Sequence, residues 1–184
     1  MKEARYFYVP NATEDNELPT DEAIHAIRVL RLKIGDDIFL IDGKGSFYEA
    51  VVTLADSKHC LYKITQTLVQ NKTWKGYIHL AIAPTKDISR IEWLVEKATE
   101  IGFDEISFLN CQFSERKNLR IDRIERIVIS AMKQSRKAWK PIVNNMLSFE
   151  DFMQKEVTGQ KFICHCYNEI KKTDFFSNIN NSGL

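Results

Sequence analysis

The clearest alternation of apolar and polar positions runs from Pro84 to Leu109, PTKDISRIEWLVEKATEIGFDEISFL. Ile88, Ile91, Leu94, Val95, Ala98 and Ile101 recur at the three- and four-residue spacing of one helix face. Ser89 with Glu92 has the form of a capping box. Gly102 stands where a helix end wants a residue free to take positive φ. The apolar runs Tyr77–Ala83 and Phe103–Leu109 on either side read as strands, so the segment is a βαβ unit and predicts a parallel sheet. On the polar face, Glu92, Lys97 and Glu100 read as an i,i+4 ladder or dimer contacts rather than as catalysts.

Ahead of this unit the pattern is of short strands. Arg5–Val9 is a β segment, and Thr20–Leu32 predicts a helix with Thr20 as N-cap and Ala23, Ile24, Ile27 and Leu30 inward. Gly35-Asp36-Asp37 is a turn, Ile38–Ile41 a strand, and Asp42-Gly43-Lys44-Gly45 a hairpin turn. Phe47–Leu54 and Leu61–Leu68 complete an antiparallel set that is expected to close into a small barrel. Gln70–Lys75 is a polar connector, which divides the chain into an N-terminal domain over 1–72 and an α/β domain over 73–184. After the βαβ unit come the loop NCQFSERKN and a helix from about Arg120 to Ala138, with Ile121, Ile124, Ile127, Val128, Ala131 and Met132 inward. A short extended piece at Pro141–Val143 follows. Ser148 then caps a helix over 149–156, and Lys161–Cys166 is expected to be the third parallel strand.

Composition narrows the class. The chain has 184 residues, 44% of them hydrophobic, which is normal for a folded globular protein. No apolar run has the length of a membrane span, and the opening MKEARYFYVPNATEDNELP lacks the apolar core of a signal peptide, so a cytoplasmic location is expected. Four cysteines in such a chain argue against a disulfide framework. Cys164-His165-Cys166 does not read as a metal site, because on a strand the two thiols face away from the imidazole.

Net charge is +1, but its distribution is uneven. Between Glu115 and Lys140, nine basic residues face three acidic ones, leaving +6, the footprint expected for phosphate contacts. The alternative is a solvated face with Asp122 and Glu125 paired to Arg neighbours. Arg28 and Arg31 form a basic helix edge suited to gripping phosphate, while His25 reads as packed and hydrogen-bonded. Arg116 and its neighbour Lys117, in the loop after the second strand of the βαβ unit, and Lys86, after the first, fall where ligand sites of parallel sheets gather. Gln134 and Arg136 at the end of the long helix offer a base-edge contact and a phosphate contact. Equally, Arg136 would satisfy the helix C-terminus.

Three blocks carry a family resemblance. HAIRVLRLKIGDDIFLIDGKG, at 25–45, resembles the PUA-like domain of the bacterial 16S ribosomal RNA (uracil-N3)-methyltransferases. TKDISRIEWLVEKATEIGFDEISFL, at 85–109, is similar to the start of their SPOUT methyltransferase domain, and AMKQSRKAWKPIV, at 131–143, to a third shared block. The resemblance implies a PUA-like barrel followed by an α/β domain with a C-terminal trefoil knot. It implies a homodimer, S-adenosylmethionine held in the knot, and N3-methylation of one uridine in the rRNA of the small ribosomal subunit. Arg5 matches an Arg of the family's first strand, where contact with RNA or with the partner's active site is implied. The family's Gly-Pro-Glu-Gly-Gly loop has no counterpart in 144–184, so the expectation is a shortened chain with no cofactor-binding residues that does not itself methylate. Arg116 and Arg136 are the candidates for stabilising a uracil anion, with the catalytic base unassigned. Two other readings stay open. One is a non-catalytic RNA-binding or ribosome-assembly module; the other is a nucleotide-binding α/β enzyme unrelated to RNA.

Overall fold

The computed structural model describes residues 5–156, 158–165, 167–168, 174–175 and 179. β1 (Tyr6–Tyr8), β2 (Asp37–Ile41), β3 (Ser46–Asp56) and β4 (His59–Val69) form a sheet in the order β1-β2-β3-β4. β1 runs parallel to β2, and the other pairs are antiparallel. Alternation sends Phe7, Leu40, Tyr48, Ala50 and Val52 to one face, where they bury against Ala23, Ala26 and Leu32. Each large apolar side chain so buried contributes about 1.5–3 kcal/mol.

The sheet is open, not a closed barrel: β1 and β4 do not pair. Its two edges are covered by other means. The segment 16–18 bonds along β4 through Leu18 N–H to Cys60 O (2.9 Å) and Tyr62 N–H to Asn16 O (2.9 Å), while the end of the long helix packs on β1.

The expected helix over 20–32 is shorter and differently capped. α1 spans Thr20–Ile24, with Pro19, not Thr20, at the N-cap. A π-helical turn over His25–Val29 continues it, closed by Leu30 N–H to His25 O at 3.1 Å. Arg31 then takes left-handed backbone, φ 54°, and ends the element.

In the second half, β5 (His79–Ile82), β6 (Glu105–Asn110), β7 (Ile142–Val143) and β8 (Leu147–Ser148) are parallel, β6 pairing with each of the others. α2 (Ile88–Ile101) and α3 (Ile121–Ser135) cover one face, packing Ile91, Val95, Ile124, Val128 and Met132 on Ile106 and Phe108. Ile101, expected on the apolar face, is 77% exposed. α3 stops short of Ala138 because Arg136 turns left-handed, φ 55°. α4 (Phe149–Gln154) starts at Ser148, whose hydroxyl accepts Asp151 N–H at 2.9 Å.

Lys161–Cys166 is not the third strand. Residues 161–165 are irregular and largely exposed, Ile163 at 80%; Cys166 lies outside the described residues. β7 and β8, two residues each, already occupy the free edge of β6. Cys164 and His165 therefore do not alternate across a strand. Among the described residues no group of three or more His, Cys, Asp or Glu side chains is placed to hold a metal ion, and no helix is long and apolar enough to cross a membrane.

The two halves share a core. Ile41 of β2 is fully buried in the second cluster, and Tyr6 and Phe47 pack against it. The hairpin turn at 42–45 adds to the join: Gly45 N–H donates to Ala138 O (3.0 Å) and Lys140 N–H to Gly43 O (2.9 Å). Gly45, at φ 108°, lies flat against the Trp139 ring, where any side chain would collide.

Candidate nucleic-acid interface

The carboxyl ends of β5 and β6 bring two loops together. Arg116 reaches from the second to the first, donating through Nε to Thr85 O (3.3 Å) and through Nη2 to Lys86 O (2.7 Å). The N-cap of α2 is Asp87, not the Ser89/Glu92 box. Its carboxylate accepts Ser89 N–H at 3.0 Å and the Ser89 hydroxyl at 2.8 Å. Those two bonds, aided by Arg90 and Arg116, hold the Asp87 pKa below its ordinary value. Glu92 faces Arg123 of α3 instead, with Nη2 to Oε2 at 2.8 Å and Nε to Oε1 at 2.6 Å. Lys97 pairs with the adjacent Glu96 and with Glu100 three residues on, and Glu92 is not part of the set, so no i,i+4 ladder forms.

Most of the basic segment is engaged within the molecule. Arg120 pairs with Asp122 (2.9 Å), Lys133 with Glu22 of α1 (2.7 Å), and Lys140 with Glu125 (2.5 Å). Lys137 Nζ donates to Thr73 Oγ1 at 2.9 Å, and the Arg136 guanidinium sits 5.6 Å from the centre of the Tyr6 ring. Arg5 is 3.6 Å from Asp36. The remaining sequence candidates, Arg28, Arg31, Lys86, Lys117 and Gln134, are exposed and make no side-chain hydrogen bond or ion pair among the described residues. Two further cations, Arg90 and Arg126, share that freedom. His25, expected to be packed, is exposed. The structure thus leaves these cations free in three places: Arg28 and Arg31 after α1, Lys86, Arg90 and Lys117 in and beside the loops at the start of α2, and Arg126 on α3.

Two constellations escape sequence reading. Asp104, 7% exposed, is the anchor of the connector: it accepts from Lys72, from Trp74 Nε1 (2.9 Å) and from Ile78 N–H (2.8 Å). Lys72 also lies over the Trp74 and Trp139 rings, at 5.7 and 5.2 Å. These residues, with Tyr77, Phe103, Lys140 and Ile142, line a cleft of about 120 Å³. On the face of the sheet away from α2 and α3, His79 Nε2 lies 2.9 Å from Ser107 Oγ. Asn144 Nδ2 donates to Ser107 Oγ (2.9 Å) and to Glu105 Oε1 (2.6 Å). Tyr77 O–H donates to Glu105 Oε2 at 2.6 Å, a bond that pushes the phenol pKa up to about 12. Ser107 is fully buried in mid-strand, so this set braces β5, β6 and β7 rather than meeting a substrate. Neither constellation has a linear spacing that announces it.

The model of the RNA methyltransferase domain family matches residues 72–183, and that of the RNA methyltransferase PUA domain matches 18–65. The chain belongs to the RNA methyltransferase family. A probable rRNA-methyltransferase from Porphyromonas gingivalis has the same fold, with 37% identity and a TM-score of 0.86 over 96% of this chain and 74% of that one. A ribosomal RNA small subunit methyltransferase E from Neisseria gonorrhoeae, solved bound to S-adenosyl methionine, aligns with a TM-score of 0.71 over 85% of this chain and 67% of that one; at 22% identity the likeness is of fold. Curated relatives named ribosomal RNA small subunit methyltransferase E, from Rickettsia conorii and Synechocystis, are 25% and 28% identical over 84% and 91% of this chain. The chain spans 64% and 55% of their lengths. In this RNA methyltransferase chain the third shared block, 131–143, serves largely the joint between the halves, through Ala138, Trp139 and Lys140.

Proposed function

We propose that the chain binds 16S rRNA of the small ribosomal subunit and serves S-adenosylmethionine-dependent methylation of N3 of a uridine. The observation that carries this reading is the pairing of the two family matches with exposed, unpaired cations on both matched regions: Arg28 and Arg31 in one, Lys86, Arg90 and Lys117 in the other. Those cations make the phosphate contacts. Arg5, Arg116, Gln134 and Arg136 sit around them as the further RNA-contact candidates, and the catalytic base is unassigned. In this reading residues 1–72 form the PUA-like unit and 73–184 the methyltransferase unit, acting as a cytoplasmic homodimer.

S-adenosylmethionine supplies an electrophilic methyl group when bound. The cleft at the connector does not fit it. The cleft of about 120 Å³ is below the roughly 300–1,000 Å³ of ligand pockets. At the carboxyl edge the carbonyls of Thr85 and Lys86 are taken by Arg116, and the Asp87 carboxylate by the cap. No described residue is therefore assigned to the methyl donor, and RNA binding is the activity this chain's own side chains support.

The test is calorimetry of the chain with transcribed 16S rRNA and, separately, with S-adenosylmethionine. The expected result is saturable RNA binding without measurable cofactor binding. Saturable micromolar binding of the cofactor together with no affinity for RNA would favour a nucleotide-binding α/β enzyme and overturn the proposal.

A further inference from the structure

Among the described residues, two that are not glycine have positive φ, and both are exposed arginines: Arg31 at 54° and Arg136 at 55°. Each stands just past a helix, where glycine takes this backbone without cost and a residue with a Cβ does not. Neither makes a hydrogen bond or ion pair with its side chain among the described residues. The fold therefore gains little from an arginine at position 31, and at position 136 the gain within the chain is the contact with the Tyr6 ring. Strained backbone kept at an exposed, unpaired cation points to use of the side chain.

A chain of contacts links the two positions. Lys33, two residues beyond Arg31, donates its N–H to Asp36 Oδ2 (2.9 Å), and Asp36 faces Arg5 at 3.6 Å. The next residue, Tyr6, carries the Arg136 guanidinium on its ring and stacks on Phe39 at 5.1 Å. The backbone of Lys33, two residues on from Arg31, is thus linked through Asp36 to Arg5 and through Tyr6 to Arg136 across the join between the two halves, with Asp36 the one acid in that string of contacts. Tyr6 and Phe39 are half-buried beside them. Guanidinium groups along a path, with aromatic rings next to them, suit the phosphates of a single RNA strand.

We infer that Arg31 and Arg136 are held in left-handed backbone for their side chains, and that with Arg5 they form a phosphate-binding path across the joint between the halves. This rests on the RNA-binding reading above and adds where the strand crosses. The bland account, charge placed favourably at two helix C-termini, predicts that loss of either arginine destabilises the fold.

The test is Arg31→Gly and Arg136→Gly in the full chain, read by thermal unfolding and by binding of transcribed 16S rRNA across a salt series. Relief of the backbone should raise Tm by about 2–4 °C for Arg31→Gly, and for Arg136→Gly the loss of the Tyr6 contact offsets it, leaving Tm near the parent's. Binding should weaken severalfold, and the slope of log Kobs against log salt should flatten by about one unit for each arginine. Arg31→Lys, which keeps the charge, should keep the slope. If the glycine variants bind like the parent with unchanged slope, or Arg31→Gly loses Tm, the inference is wrong. If the parent itself shows no salt-dependent RNA binding, the proposed function fails first.

Discussion

Asp104 shows how one side chain fixes the course of a connector. Burial works to raise its pKa. The hydrogen bonds from Lys72, the Ile78 N–H and Trp74, with the Lys72 charge, outweigh that and hold it below the usual carboxylate range. A carboxyl whose folded pKa is depressed contributes stability above its unfolded pKa, near 4, and loses it as pH falls through the folded value. Asp104→Asn should therefore cost on the order of 2 kcal/mol near neutral pH, since it leaves Lys72 without its partner. Urea unfolding of parent and variant from pH 7 downward should show the difference shrinking below about pH 4. A difference that stays constant with pH would remove the ionised carboxylate from the account.

The elements with a strong two-faced pattern were legible, and their ends were not. α2 was readable because Ile91 and Val95 have to face the sheet; its cap was misread because Asp87 and Ser89 both have the chemistry, and only the backbone decides which side chain lies outside the first turn. Asp87→Ala, which removes the cap, should lower stability more than Glu92→Ala, which breaks a partly exposed ion pair and should cost about half a kcal/mol or less. Equal losses, measured by denaturant unfolding, would restore the capping box. β7 and β8 escaped because two residues carry no period, which let the apolar run at 161–166 claim their place. The turn at Arg31 escaped because nothing in its side chain calls for left-handed backbone. The candidate site was legible as a composition and not as a surface. Arg123 and Lys133 find acids 31 and 111 residues away, and no local reading of the basic segment shows that they are neutralised.

At the scale of the molecule, the connector does not separate two independent bodies. Ile41 lies in the second core, the 42–45 turn is bonded to 138–140, and Lys133 is paired with Glu22. The chain should unfold in one transition, with tryptophan fluorescence, which reports Trp74, Trp93 and Trp139 beyond the first sheet, coinciding with far-ultraviolet circular dichroism, which reports both halves. Two separated transitions would mean that the joint is weak. Because the halves share packing, the free cations on both are carried by one body, and the proposal is that a single RNA engages them together. The most direct test of that claim is the affinity of the chain for transcribed 16S rRNA measured from about 50 to 200 mM salt. The five free cations assigned to phosphate contacts, Arg28, Arg31, Lys86, Arg90 and Lys117, predict a log–log slope of about −3.5 to −4.5 at full engagement. Replacing Arg28 and Lys86 together by Ala should flatten it by about two units. Absence of saturable binding at the low-salt end, or a slope near zero, would contradict the account.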